Sequence, residues 1–132
     1  MKLTRRKSGG PRDLFIAYVA GLFDGEGCVW WNETPRVAIT SCYPKHLVEI
    51  RNRMRLGRIR WMRSRSSDRR SCFQWEATGK DAIKFLQAIA PHMREKRYQT
   101  SIIASIVIAP PRSHLRKVLI HLLAKAKRID HA

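Results

Sequence analysis

Two carboxylates, Asp24 and Glu26, alternate with Gly25 and Gly27 at the end of an apolar segment. They stand out because the chain has 10 acidic residues against 27 Lys and Arg. The segment before them is predicted to be helical, and the C-terminal end of a helix disfavours nearby carboxylates. A hard divalent cation such as Mg²⁺ would relieve this repulsion and keep coordination positions for water and phosphate. The alternative is an ordinary helix-to-strand turn with solvated acids, because Gly and Asp are common in turns.

The net charge indicates what the protein binds. A formal charge of +17 on 132 residues requires an anionic partner, with nucleic acid first, an anionic membrane surface second and an acidic protein third. Apolar residues make up 44% of the chain, enough for one core. The longest apolar stretch, residues 14–23, is short of the roughly 20 residues that span a bilayer. We therefore expect no transmembrane helix. With nucleic acid as the preferred partner, we expect neither a membrane partner nor a small-molecule substrate.

The three cysteines, Cys28, Cys42 and Cys72, form no CxxC pair and cannot all pair within one chain. We expect buried, reduced thiols in an intracellular protein of the cytoplasm, nucleoid or an organelle matrix. Basic residues before the apolar stretch are typical of a signal peptide, but the stretch continues into the acidic turn without a small-residue cleavage site. The sequence therefore favours a protein that is not secreted.

Hydrophobic periodicity predicts an α+β fold with one antiparallel sheet. The predicted elements are a helix over 12–23, strands over 28–31 and 36–42, a helix over 44–54, strands over 58–62 and 71–78, and helices over 81–89, 94–108 and about 112–128. The first helix is apolar on all sides, which predicts cover by the core on one side and a partner subunit on the other. We expect a single domain over 1–132, with a basic arm at 1–11, a core domain at 12–109 and a C-terminal helix at 112–130. That last helix is basic and amphipathic, and packing on the domain is favoured over membrane or calmodulin-type binding.

Arginine is concentrated between positions 51 and 70, where nine stand against one acid. Guanidinium groups can contact guanine in the major groove, which a two-stranded ribbon fits. The expected groove-facing residues are Arg58, Arg60 and Met62, which alternate with apolar neighbours, together with Arg36, Ala38, Thr40, Gln74 and Glu76. The remaining arginines are expected to contact phosphate or solvent: Arg63, Arg65, Arg69 and Arg70, and the helix residues Arg51, Arg53 and Arg55. Simple burial puts Phe73 and Trp75 inside, but a one-residue shift of register would reverse both faces.

Residues 19–27, VAGLFDGEG, resemble the nine-residue motif of the LAGLIDADG homing endonucleases. Ala20, Gly21, Leu22, Asp24 and Gly27 agree letter for letter. Two further segments resemble the family: Leu47 and Ile50 leading to 56–59, and residues 85–91 followed by Lys96 and Gln99. The resemblance covers about residues 13–108. It implies the αββαββα fold of that family, with a saddle-shaped antiparallel sheet, here followed by a C-terminal helix.

The family resemblance also implies a mechanism. Its motif helices pack in pairs, so a chain with one motif is expected to form a homodimer with an identical second subunit. The small residues Ala17, Ala20 and Gly21 would let the helices approach, and Asp24 would cap or brace the partner helix. Glu26 would bind Mg²⁺, with Mn²⁺ or Ca²⁺ as alternatives, beside the Gly25 carbonyl.

The implied reaction is hydrolysis of both strands of double-stranded DNA at a long pseudo-palindromic target, leaving short 3′ overhangs. Lys96 matches the family's basic residue near the attacking water and the scissile phosphate. By spacing, Ser41 occupies the family's polar active-site position at the end of the second strand, which is usually a longer residue such as Gln, so the resemblance implies a catalytic role for Ser41. Cys42 is the alternative if the register shifts. A second hypothesis is a related binder without nuclease activity, an RNA maturase or a repressor. A third is a generic basic RNA-binding protein whose motif match is accidental.

Overall fold

A computed structural model describes residues 10–62 and 72–130, the last three of these by backbone alone. The predicted contacts at Arg63, Arg65, Arg69 and Arg70, and all but the end of the basic arm, lie outside these residues. The elements are α1 (Pro11–Glu26), β1 (Gly27–Asn32), β2 (Thr34–Ser41), α2 (Pro44–Met54), β3 (Arg58–Met62), β4 (Cys72–Thr78), α3 (Lys80–Ile89), a short 3-10 helix (Ala90–His92), α4 (Arg97–Ile108) and α5 (His114–Asp130). The α+β prediction is confirmed.

Two boundaries differ from the predicted ones by three residues, and the others agree within two. Helix α1 continues to Glu26, so both acids belong to its last turn instead of a loop. Helix α4 begins at Arg97, with Lys96 as the residue that precedes it. Both differences arise from hydrogen bonds between the end of α1 and residues 94–96, which lie far apart in the sequence.

The four strands form one antiparallel sheet in the order β1-β2-β4-β3. Helix α1 precedes the sheet, α2 connects β2 to β3, and α3 follows β4; all three pack against one side of the sheet. Val29, Val37, Ile39 and Trp75, which face that side, are fully buried. The core continues into the helices through Phe85, whose ring lies 4.5 Å from Trp75 and 5.3 Å from Phe23 between centroids.

The register settles which side of the sheet each residue faces. Ala38 pairs with Glu76, which pairs with Arg58, and Thr40 pairs with Gln74, which pairs with Arg60. Because side chains alternate along a strand, these residues lie opposite the core, on a surface that we call the open face. Its members are Cys28, Trp30 and Asn32 of β1, Arg36, Ala38 and Thr40 of β2, Arg58, Arg60 and Met62 of β3, and Cys72, Gln74, Glu76 and Thr78 of β4. Of the two registers that the sequence left open, the structure has the one in which Trp75 is buried in the core and Phe73 packs against it.

The turn into β3 is fixed by Trp75. Its indole Nε1 donates to the carbonyl oxygen of Leu56 at 2.9 Å. Gly57 follows with φ of +79°, and a Cβ there would lie 2.5 Å from the indole nitrogen. Only glycine meets both requirements, so this contact sets where β3 starts and which of its side chains reach the open face.

Helix α5 packs on the domain, as favoured by its sequence. Ser113 caps it by accepting a hydrogen bond from the Arg116 amide at 3.1 Å. The Arg116 side chain donates to the Ile106 carbonyl oxygen at 3.1 Å and lies over the Trp31 ring at 5.1 Å, joining α4, α5 and β1. Within the described part of the chain, no helix is both long and apolar enough to cross a membrane.

The cysteines are less buried than expected. Cys28 and Cys42 are exposed, and Cys72 is partly buried. The prediction of buried thiols was wrong because Cys28 and Cys72 lie on the open face, and Cys42 follows the end of β2, beyond the cover of the helices.

Candidate functional site

Glu26 stands at the junction where α1 passes directly into β1. The amide of Gly27 donates to the Phe23 carbonyl oxygen and closes the last turn of the helix. A Cβ at position 27 would collide with the ring and the carbonyl oxygen of Phe23, so this junction requires glycine. The side chain of Glu26 is exposed at the end of the helix.

Asp24 is turned inward and has a structural role within its own chain. It is 9% exposed, and its carboxylate accepts hydrogen bonds from the backbone amides of Arg94 at 2.7 Å and Lys96 at 3.1 Å. The expectation that its side chain braces a partner helix is therefore corrected. The carboxylate supplies acceptors to the segment that leads into α4, where the buried amide of Lys96 and the part-buried amide of Arg94 would otherwise lack a partner.

The side chain of Lys96 also contacts Asp24. This side chain is 7% exposed, and Nζ donates to the Asp24 carbonyl oxygen at 2.5 Å. A buried cation at the C-terminal end of α1 offsets the partial negative charge there, which explains how this helix end tolerates two acids. The structure thus brings Lys96 to the acidic motif. Its ammonium group binds the backbone carbonyl of Asp24, which stands two residues before Glu26 in the chain.

Ser41 is the last residue of β2, at the end of the sheet where α1 passes into β1. The pairing of Gly27 with Ile39 shows that β2 runs past the end of α1 at this point. The Ser41 hydroxyl accepts a hydrogen bond from the Tyr43 amide at 3.0 Å, so it stabilises the turn into α2. Cys42, the alternative from the sequence, is exposed, and its sulfur lies 3.1 Å from that of Cys72.

The donor atoms at the junction suit a hard cation only in part. Among the described residues, no group of three or more His, Cys, Asp and Glu side chains could hold a metal ion. Glu26 offers a carboxylate, whereas the Asp24 carboxylate already accepts two backbone hydrogen bonds. One carboxylate and a neighbouring carbonyl fit Mg²⁺ by type but not by number, so further oxygen ligands must come from another molecule.

The outer side of α1 is uncovered. Leu14 is 62% and Tyr18 45% exposed, and Gly21 and Gly25 follow on the same side at helical spacing. A Cβ at either glycine would meet nothing within 4 Å. We call these four residues the α1 stripe; its small and apolar surface is suited to close packing of another helix.

Of the other expected contact residues, Ala20 faces away from the α1 stripe and Ala17 lies at its edge. Ala20 is fully buried in the core of its own chain, so its assignment to the dimer interface is corrected, while Ala17 is partly exposed. Leu14 and Tyr18 were not singled out, although their spacing from Gly21 is the signal that identifies them.

The eight residues that were expected to face the groove all lie on the open face, but they are not equally accessible. Ala38 is 3% and Glu76 7% exposed, so neither presents much surface to a ligand. Glu76 instead lies 3.6 Å from a guanidinium nitrogen of Arg58, whose side chain is 70% exposed. The buried acid thus orients a cation on the open face. Trp30, which pairs with Arg36, was missed because its strand neighbour Trp31 is equally apolar.

The comparison with solved structures supports this architecture. No protein-family model matches the chain, and no curated protein sequence matches it. Among solved structures, the homing endonuclease I-CvuI bound to its target with calcium superimposes with a TM-score of 0.59 and 16% identity over 88% of this chain and 96% of that one.

I-CvuI with the I-CreI target and magnesium, where the DNA is not cleaved, has a TM-score of 0.63 and 16% identity over 91% of this chain and 82% of that one. The archaeal intron-encoded homing endonuclease I-Vdi141I bound to DNA has a TM-score of 0.58 and 14% identity over 88% of this chain and 98% of that one. The resemblance first seen in the motif is thereby supported over most of the chain. This protein has the fold of the homing endonucleases.

Proposed function

We propose that the protein is a site-specific DNA endonuclease that acts as a homodimer and uses Mg²⁺. The observation that carries this proposal is the position of Glu26, exposed at the end of a helix with an uncovered stripe and beside a sheet with a basic open face. The similar solved structures add support, because all three are homing endonucleases bound to DNA and two were determined in the presence of calcium or magnesium.

The homodimer supplies what one chain lacks. If the α1 stripes of two protomers pack about a two-fold axis, the glycines let the helices approach and the two Glu26 carboxylates come close together. Such a pair repels strongly unless a cation lies between the carboxylates. The second carboxylate and the DNA phosphate would complete an oxygen ligand set that Glu26 and the Gly25 carbonyl begin.

The residues around the junction then have separate tasks. Bound Mg²⁺ would lower the pKa of an attacking water and stabilise the leaving 3′ oxygen. Glu26 would hold the cation, while Asp24 and Lys96 keep the end of α1 rigid through their three hydrogen bonds. One strand cut beside each protomer would give the short 3′ overhangs that we expect.

The open face would bind the major groove. Arg58 and Arg60 extend from the edge strand β3, and Arg36, Thr40 and Gln74 lie on the adjoining strands. Arginine can bind guanine O6 and N7 together, so these positions would contribute base discrimination. Two such faces related by a two-fold axis would recognise a long pseudo-palindromic site.

A second function has its own supporting observation. The Ser41 hydroxyl and the Lys96 ammonium, both expected to act in catalysis, already form hydrogen bonds within the chain. A protein that binds nucleic acid with the same dimer and sheet but does not cut it would need neither group. An RNA maturase or a repressor would be of this kind.

Selection of cleaved sites from a randomised DNA library, with and without Mg²⁺, tests the two functions against each other. An endonuclease enriches one sequence only when Mg²⁺ is added. Glu26→Gln should then bind that sequence and fail to cut it. Glu33→Gln is the matched control, because it removes the same charge from an exposed acid in the β1–β2 turn.

Each other outcome decides against part of the proposal. Cleavage by Glu26→Gln at the normal rate would show that Glu26 is not the metal ligand. Specific binding without cleavage under any condition would identify the chain as a binder. Binding by a monomer, without preference for sequence or effect of metal, would support the generic RNA-binding hypothesis.

A further inference from the structure

Cys42 and Cys72 are brought together by the pairing of β2 and β4. Their sulfur atoms lie 3.1 Å apart, although the residues are thirty positions apart in sequence. Ser41 pairs with Phe73, so the antiparallel register continues to position 42 opposite position 72. Facing residues of antiparallel strands have Cα atoms about 4.5–5.5 Å apart. This spacing falls within the roughly 4.4–6.8 Å that a disulfide requires.

The pair is accessible to a small reagent. Cys42 is exposed and Cys72 is partly buried beside it. Access matters because exchange begins when a thiolate attacks the sulfur of another disulfide. The third cysteine offers a comparison, since Cys28 is also exposed but lies near Lys127, whose Nζ is 3.6 Å from its sulfur.

We propose that Cys42 and Cys72 are a reversible disulfide site, oxidised by a low-molecular-weight disulfide such as glutathione disulfide. In the first step the Cys42 thiolate attacks the reagent, forms a mixed disulfide and releases one glutathione thiolate. In the second step the Cys72 thiolate attacks the Cys42 sulfur and releases the second glutathione. Two protein thiols are oxidised and one glutathione disulfide is reduced to two thiols, which take up the two protons.

The bond would connect the end of β2 to the start of β4. These positions bracket α2 and β3, so the bond would close a loop that contains both elements. Cross-linking a loop of this length restricts the unfolded chain and stabilises the fold. The site adjoins Ser41 and lies opposite Met62 on β3, at one end of the open face. The proposal does not depend on nuclease activity.

The test treats the full-length native protein with glutathione disulfide, removes the reagent and counts the thiols. We expect the count to fall from three to one, with a protein mass about 2 Da lower. Peptide mapping without reductant should join the peptides of Cys42 and Cys72. The melting temperature should rise by roughly 5–15 °C, and dithiothreitol should reverse all changes.

Three variants complete the experiment. Cys28→Ser should behave as the wild type, whereas Cys42→Ser and Cys72→Ser should keep a glutathione adduct and gain no internal bond. Cys42 is exposed and serine is nearly isosteric with cysteine, so at least this variant is expected to fold. Retention of all three thiols by the wild type, a bond that involves Cys28, or a bond between two chains would overturn the proposal.

Discussion

Replacement of Gly21 by leucine should strengthen the protomer and weaken the dimer. Gly21 lies within α1 and is exposed, and a Cβ there meets nothing within 4 Å. Glycine inside a helix is less favourable than alanine by about 0.5–1 kcal/mol, and leucine is nearly as good a helix former as alanine. The substitution should therefore raise the free energy of unfolding of the protomer by about 0.5–1 kcal/mol.

The effect on the proposed dimer has the opposite sign. If two α1 stripes pack against each other, Gly21 is where the backbones approach, and symmetry places the added side chain in the interface twice. Overpacking costs about 1–3 kcal/mol at each site, so the dimer should lose about 2–6 kcal/mol. This corresponds to a dissociation constant roughly 30-fold to 20,000-fold higher.

Sedimentation equilibrium would measure the dimer constant, and chemical denaturation would measure unfolding. Gly21→Ala should show the same two directions with a smaller loss of dimer. Ala124→Leu is the matched control, because it adds the same side chain type to an exposed position of α5. It should leave the dimer constant unchanged.

Two results would refute the reasoning. A wild-type chain that stays monomeric at working concentration, even with DNA supplied, would remove the basis for the proposed site. A Gly21→Leu protein that dimerises as well as the wild type would show that the α1 stripe is not the interface.

Further predictions concern the junction and the open face. Gly27→Ala should lower the free energy of unfolding by about 1–3 kcal/mol because its Cβ collides with the preceding helical turn, whereas Gly25→Ala, whose Cβ is free, should not; equal midpoints in chemical denaturation would contradict this. Asp24→Asn should also lower it by about 1–3 kcal/mol, since one of two backbone amides loses its acceptor, and an unchanged denaturation midpoint would count against that role. Glu76→Gln should change stability by less than about 1 kcal/mol but broaden the base preference at one position of each half-site, because Arg58 is no longer held. Site selection measures that preference, and an unaltered profile would exclude the orienting role.

Much of the fold was predictable because its signals are local. Alternation along β3 predicted that Arg58 and Arg60 share a side, and the paired acids marked the junction that ends α1. The extent of α1 was not predictable in this way. Its last turn is stabilised by residues 94–96, and no local pattern near Asp24 reports that contact.

The sequence by itself determined the elements, the excess of positive charge and the motif that carries Glu26. Only the tertiary structure decided that Ala20 faces the core, that Trp75 rather than Gln74 is buried, and that Lys96 binds the end of α1. It also brought Cys42 to Cys72. The division has a physical cause: helix and strand periodicity depend on neighbours a few residues away, whereas strand register and helix rotation depend on how distant segments pack.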